Sequence, residues 1–290
     1  MYELIDFGEG RRLERFGMYL IDRPAAGTQG VSRDPQSRDH WSQATARFEP
    51  SARASPQRGT WLPADGLPES WSVEFCGIRF ELKPTEFGHL GVFPEQAENW
   101  RFIGEWVRDF RSAGPARRPK LLNLFAYTGG STIAAAAAGA EVVHVDSARG
   151  AVAWARRNAE SNGLSAAPIR WIIEDARRFV ERELARGNRY DAVILDPPSY
   201  GHGPKRQAWK IDRDLPGLLR GAIALLAGTP SLVLLSCHTP GIADAVAAQM
   251  IDESVKSIGR SGRIASGELT LRATSGPKVL QCGVAARFCG

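Results

Sequence analysis

Cysteine is scarce in this 290-residue chain: Cys76, Cys237, Cys282 and Cys289 lie far apart and form no CxxC pair. A disulfide framework and a paired-cysteine zinc module are therefore excluded, and a reducing, cytoplasmic setting is expected. No uninterrupted apolar run reaches the length of a transmembrane helix, so no membrane association is expected. The opening Met1-Tyr-Glu-Leu-Ile-Asp lacks a basic stretch followed by an apolar one, so no secretory leader is expected. The GxGxxG dinucleotide fingerprint is also absent, which argues against a nicotinamide-dependent dehydrogenase. Charge of one sign barely dominates, with 37 Lys and Arg against 32 Asp and Glu. That excess of five permits a nucleic-acid partner without requiring one.

Leucine and isoleucine are missing from residues 25–60, which are rich in Ser, Pro, Arg and Gln. Such a segment buries little apolar surface and reads as a linker, with five arginines that could touch RNA phosphates. It follows a β-hairpin segment over residues 1–24 and precedes a second hairpin and a helix over 61–115. Trp71–Phe75 and Arg79–Leu82 flank Cys76-Gly77 as that hairpin. Trp100, Ile103, Trp106, Val107 and Phe110 share one face of a helix over Glu95–Phe110. From Leu121 onward, within residues 116–290, short apolar strands alternate with helices. The pattern predicts an α/β domain with a mostly parallel sheet covered by helices on both faces.

Ligands of such sheets bind beyond the carboxyl ends of the strands. Four polar clusters fall there. Phe125-Ala-Tyr-Thr-Gly-Gly130 follows the first strand and opens a helix, so its backbone can approach a ligand closely. Asp146 ends the second strand, 17 residues after Gly129, where an acid can accept both hydroxyls of a ribose. Glu174-Asp175 ends the third strand and could meet an adenine amine, while Asp196-Pro-Pro-Ser-Tyr200 ends the fourth. A single aspartate at a strand end also suits a helix cap. The ordered set of four is far more specific, and the two prolines fix the backbone beside Asp196.

On Asn123-Leu-Phe-Ala-Tyr-Thr-Gly-Gly130, Val145-Asp146, Asp175, Asp196-Pro-Pro-Ser-Tyr200, Trp209-Lys210 and Ser236-Cys-His238, the chain resembles the class I S-adenosylmethionine-dependent methyltransferases. More narrowly, it is similar to the bacterial 23S rRNA methyltransferases that modify cytosine C5. The resemblance implies a Rossmann-like fold with a mostly parallel seven-stranded sheet, preceded here by a small β-rich extension. It implies S-adenosylmethionine as cofactor and RNA, ribosomal RNA above all, as partner. Phe125, Tyr127, Thr128 and Gly129 would line the methionine end, Asp146 would hold the ribose and Asp175 the adenine. Asp196 and Pro197 would face the target base beside the methyl group.

Cytosine C5 is a poor nucleophile, and enzymes activate it by adding a thiolate to C6. Cys237, 41 residues after Asp196, occupies the place of the nucleophile in the cytosine-modifying relatives, with Lys210 and His238 near it in the motif. Lys210 could equally bind a phosphate, and a buried packing role is the ordinary alternative for any cysteine. Ser199-Tyr200 also resembles the N/DPPY loops of exocyclic amine methyltransferases, which need no cysteine; guanine N2 is the second expected target and a non-RNA substrate the third. Tyr200 and Trp209 would stack on the base, with Lys205, Arg206 and Arg213 supplying charge beside it.

Overall fold

The computed structural model describes residues 1–51, 58–114, 117–202 and 208–290, apart from the side chains of Ala26 and His202. It divides into two compact units: Met1–Glu95 with Thr270–Cys282, and Gln96–Leu269 with Gly283–Gly290.

The first unit is built on a five-stranded sheet in chain order: β1 (Tyr2–Gly8), β2 (Arg11–Phe16), β3 (Tyr19–Pro24), β4 (Ala46–Pro50) and β5 (Gly59–Leu62). A short helix, α1 (Arg38–Ser42), and the hairpin of β6 (Trp71–Phe75) and β7 (Ile78–Leu82) complete its regular elements up to Glu95, apart from single 3-10 turns. The expectation of a linker over residues 25–60 is corrected here. Period-two alternation on β4 turns Ala46 and Phe48 inward, so two apolar residues suffice to seat a strand in otherwise polar sequence. The segment over 1–24 likewise forms three strands rather than one hairpin. Inside this unit Glu14 accepts from Arg23 (Nε 2.5 Å) and from the Tyr2 hydroxyl (2.9 Å), a buried charge held by its partners.

The second unit begins with α2 (Ala97–Ser112) and alternates strand and helix through β8 (Lys120–Leu124), α3 (Gly130–Ala137), β9 (Glu141–Asp146), α4 (Arg149–Ser161), β10 (Ile169–Ile173), α5 (Ala176–Ala185) and β11 (Ala192–Leu195). A small ribbon of β12 (Tyr200–His202) and β13 (Ala208–Lys210) follows, then α6 (Ile211–Ala224), β14 (Leu232–Cys237), α7 (Asp244–Lys256) and the strands β15 (Arg263–Arg272) and β16 (Val279–Cys289), whose residues 270–272 and 279–282 count with the first unit. The large sheet has the order β10-β9-β8-β11-β14-β16-β15, with β16 antiparallel to β14 and the five preceding strands parallel. This is the Rossmann-like architecture with a mostly parallel seven-stranded sheet expected from the sequence.

Both faces of the sheet are covered, which is why its strands read as nearly continuous apolar runs. Leu122, Leu124, Val193 and Leu235 pack with α5, α6 and α7 on one face. The alternate residues Leu121, Val142, Ile194 and Leu234 pack on the other with Ile103 and Val107 of α2 and Ala135 of α3. One polar trio is buried beneath α3: Asn123 Nδ2 donates to Thr132 Oγ1 (3.0 Å), which lies 3.0 Å from His144 Nδ1. Burial pushes His144 down to about 3, so its imidazole is neutral.

Candidate active site

The carboxyl ends of β8, β9, β10, β11 and β14 gather the polar residues singled out in the sequence. After β8 the chain turns through Phe125 (φ 56°), Tyr127 (φ 48°) and Gly129 (φ 93°), all in the left-handed region. For the two aromatic residues this costs about 1–3 kcal/mol each, a strain that persists only where neighbours fix the loop. The fixing contacts are visible. Asp146 accepts from the backbone amides of Tyr127 (2.9 Å) and Ala148 (2.8 Å), and Asn158 Nδ2 donates to the Thr128 carbonyl (2.9 Å). Trp100 backs the turn: a Cβ added at Gly130 would lie 2.6 Å from its indole. Burial raises the Asp146 carboxyl, although the amides of Ala148, Tyr127 and Ser147 partly offset this.

An open cleft runs along this edge, bounded by Phe125, Val145, Asp146, Asp175, Pro198 and Trp209. Asp175 caps α5, accepting from the amides of Arg177 (3.0 Å) and Arg178 (3.4 Å), and pairs with the Arg177 guanidinium at 3.1 Å. Burial alone would raise its carboxyl, but Arg177 and the capping amides bring it below the ordinary range. Its carboxylate is thus engaged by its own helix, the capping role that its strand-end position also allows.

Asp196 sits at the centre of a second cluster. Its Oδ1 accepts from Ser236 Oγ (2.7 Å) and its Oδ2 from Gln96 Nε2 (3.1 Å), while His238 Nε2 lies 3.4 Å from Oδ1. The carboxylate keeps about a third of its surface open, so an incoming donor can reach it. On the following loop the Pro198 carbonyl accepts from Trp209 Nε1 (2.6 Å) and the Ser199 carbonyl from the Ile211 amide (3.1 Å). Tyr200 stands 47% exposed on that loop.

Three site residues sit in settings other than those the sequence suggests. Cys237 is 1% exposed, and burial, followed by the nearby Asp196 charge, pushes its thiol up to about 12. A thiol raised that far carries its proton at neutral pH. Lys210 is exposed on β13, at the ribbon's end where its backbone amide donates to Asp214 Oδ2 (2.9 Å). Trp209 is 4% exposed, its ring 5.0 Å from that of Phe125 and beneath the Arg177 guanidinium; it walls the cleft and cannot offer a face to a base. Lys205 and Arg206 lie outside the described residues. Gln96 and Asn99 join the site although no local pattern marks them, and Trp100, expected as core, also backs the glycine turn.

The half-buried strand-end acid that braces the glycine turn, beside an apolar-walled cleft, suits a ligand with a hydroxylated sugar and a planar ring. Comparison with known proteins agrees. Residues 38–249 match the family described as S-adenosylmethionine-dependent methyltransferase. A solved SAM-dependent methyltransferase from Agrobacterium tumefaciens is 34% identical, with a TM-score of 0.89 over 99% of this chain and 90% of that one. Ribosomal RNA large subunit methyltransferase K of Neisseria meningitidis is 30% identical over 52% of this chain, and the K/L protein of Shewanella frigidimarina 28% over 56%. The aligned regions span 41% and 21% of those two proteins.

Proposed function

The chain belongs to the S-adenosylmethionine-dependent methyltransferase family, and on that premise we propose that it methylates an exocyclic base amine of ribosomal RNA, guanine N2. The observation that carries this reading is the Asp196 cluster. A partly open carboxylate, held by Ser236 and Gln96, stands at the fourth strand end next to a buried cysteine thiol. An amine needs an acceptor for its N–H and no thiolate; cytosine C5 needs the thiolate.

Bound at this edge, S-adenosylmethionine supplies an electrophilic methyl group on its sulfonium. The turn of Phe125, Tyr127, Thr128 and Gly129 lines the methionine end, and Asp146, with its raised carboxyl, receives the ribose hydroxyls. Asp175 and Trp209 wall the adenine side of the cleft. Asp196 and the Pro197 carbonyl accept the N–H groups of the target amine, which increases electron density on its nitrogen and orients it. Tyr200, exposed on the same loop, stacks on the unpaired base.

RNA as the substrate is supported by the names of the relatives and by the basic groups at the site. Arg177, Arg178 and Arg213 line a second open cleft that shares Asp175 with the first. Arg178, Lys210 and Arg213 are exposed and suited to phosphate contact. The test is methyl transfer from tritiated S-adenosylmethionine to in-vitro-transcribed bacterial large-subunit ribosomal RNA. Asp196→Ala is expected to lose about 100-fold or more in rate while S-adenosylhomocysteine still binds. A rate within threefold of the parent protein would remove Asp196 from the chemistry.

A further inference from the structure

A line of four hydrogen-bonding side chains runs inside the second unit from β16 to the fourth strand end. Arg287 donates to Asn99 Oδ1 from Nε (3.2 Å) and Nη2 (2.7 Å). Asn99 Nδ2 donates to Gln96 Oε1 (2.7 Å), and Gln96 Nε2 donates to Asp196 Oδ2 and Ser236 Oγ, both at 3.1 Å. Gln96 and Asn99 are buried, whereas Arg287 is anchored by Glu98 (3.1 Å) and lies over the Phe102 ring at 4.6 Å.

The direction of this line does not depend on how the amide oxygens and nitrogens are assigned. A guanidinium can only donate. Asn99 must therefore turn its oxygen to Arg287 and its NH2 to Gln96. Gln96 must in turn show its oxygen to Asn99 and its NH2 to Asp196. Reversing either amide sets donor against donor at one end and acceptor against acceptor at the other, inside a buried site where each mismatch is expensive.

We propose that Gln96 is a positioning residue whose donor polarity, imposed by Arg287 through Asn99, holds Asp196 as an acceptor for the amine. The proposal rests on the reading that Asp196 receives a donor N–H. It adds a selection rule: the site favours bases that present a donor at the reacting atom, because both carboxylate oxygens are already oriented by donors from the protein.

Gln96→Glu keeps the shape and removes the donor. With the ribosomal RNA probe above, it is expected to lower kcat about 30-fold or more, with KM for RNA and the Kd for S-adenosylhomocysteine within threefold. Part of the rate should return as the pH falls from about 8 to about 5.5, because the introduced carboxyl regains a proton it can donate. The groups facing it are Asp196, Ser236 and His238, with Glu98 on its own helix and Arg287 beyond Asn99. Arg287→Met is expected to lose rate in the same way, and Arg287→Lys to recover most of that loss. An unchanged kcat and pH profile in Gln96→Glu would overturn the proposal even if the variant were less stable.

A second readout needs no RNA. In protein labelled with 15N-glutamine, the side-chain NH2 signal absent from Gln96→Leu identifies Gln96. That signal should move in Asp196→Asn and in Arg287→Met, and less in Arg287→Lys. Indifference to all three overturns the relay. Movement together with no RNA methylation keeps the relay and sinks the amine reading.

Discussion

Cys237 and Asp146 test the chemistry and the cofactor site separately. Cys237 is buried, with its thiol pushed up to about 12, and the proposed amine chemistry leaves it a packing residue. Cys237→Ala should therefore leave kcat within about threefold and cost about 1 kcal/mol of stability, read from methyl transfer and from denaturant unfolding. Loss of all transfer with the fold intact would restore the thiolate route. Asp146 makes the opposite case, since its position at the second strand end already suggests a ribose acceptor. Asp146→Ala should weaken S-adenosylhomocysteine binding by about 10–100-fold in calorimetry, the worth of about 1.4–3 kcal/mol. Because burial raises its carboxyl, affinity in the parent protein should begin to fall at a higher pH than an ordinary aspartate would allow.

Between elements, the contact of α2 with the glycine turn is as tight as any in the site. Gly130→Ala would drive a methyl into the Trp100 indole and should destabilise the protein by about 1–3 kcal/mol while lowering cofactor affinity. Beneath the same helix pair, His144 is neutral in the fold because burial holds it near 3, whereas the unfolded chain takes up that proton near 6.5. Below pH 6.5 the unfolded state binds more protons, so stability falls as pH falls, by at most about 1.4 kcal/mol per pH unit from this group. His144→Asn should flatten that slope in urea unfolding at pH 4–6.5; an unchanged slope would mean that other groups, such as His89 near 4, set it. The alternating elements and the four strand-end clusters were legible in the sequence because each ends an apolar run. Gln96 was not, since the partner of its NH2 is 100 residues away and no periodicity marks it. Trp209 misled for a local reason: Lys210 and Arg213 follow it closely, but β13 alternates and turns Trp209 inward while Lys210 faces out.

At the scale of the whole molecule, a family fold carries an N-terminal unit whose sheet begins at Tyr2 and takes in the polar stretch around Phe48. No helix among the described residues is long and apolar enough to cross a membrane. Substrate class follows from the site rather than the fold, since one fold hosts many methyl acceptors. The most direct test is to incubate the full chain with labelled S-adenosylmethionine and large-subunit ribosomal RNA from a strain lacking its gene, digest the RNA and identify the labelled nucleoside by mass spectrometry. The account predicts label in N2-methylguanosine. Label in 5-methylcytidine would contradict it and return Cys237 to the centre of the reaction, and absence of label from RNA would move the search to another class of methyl acceptor.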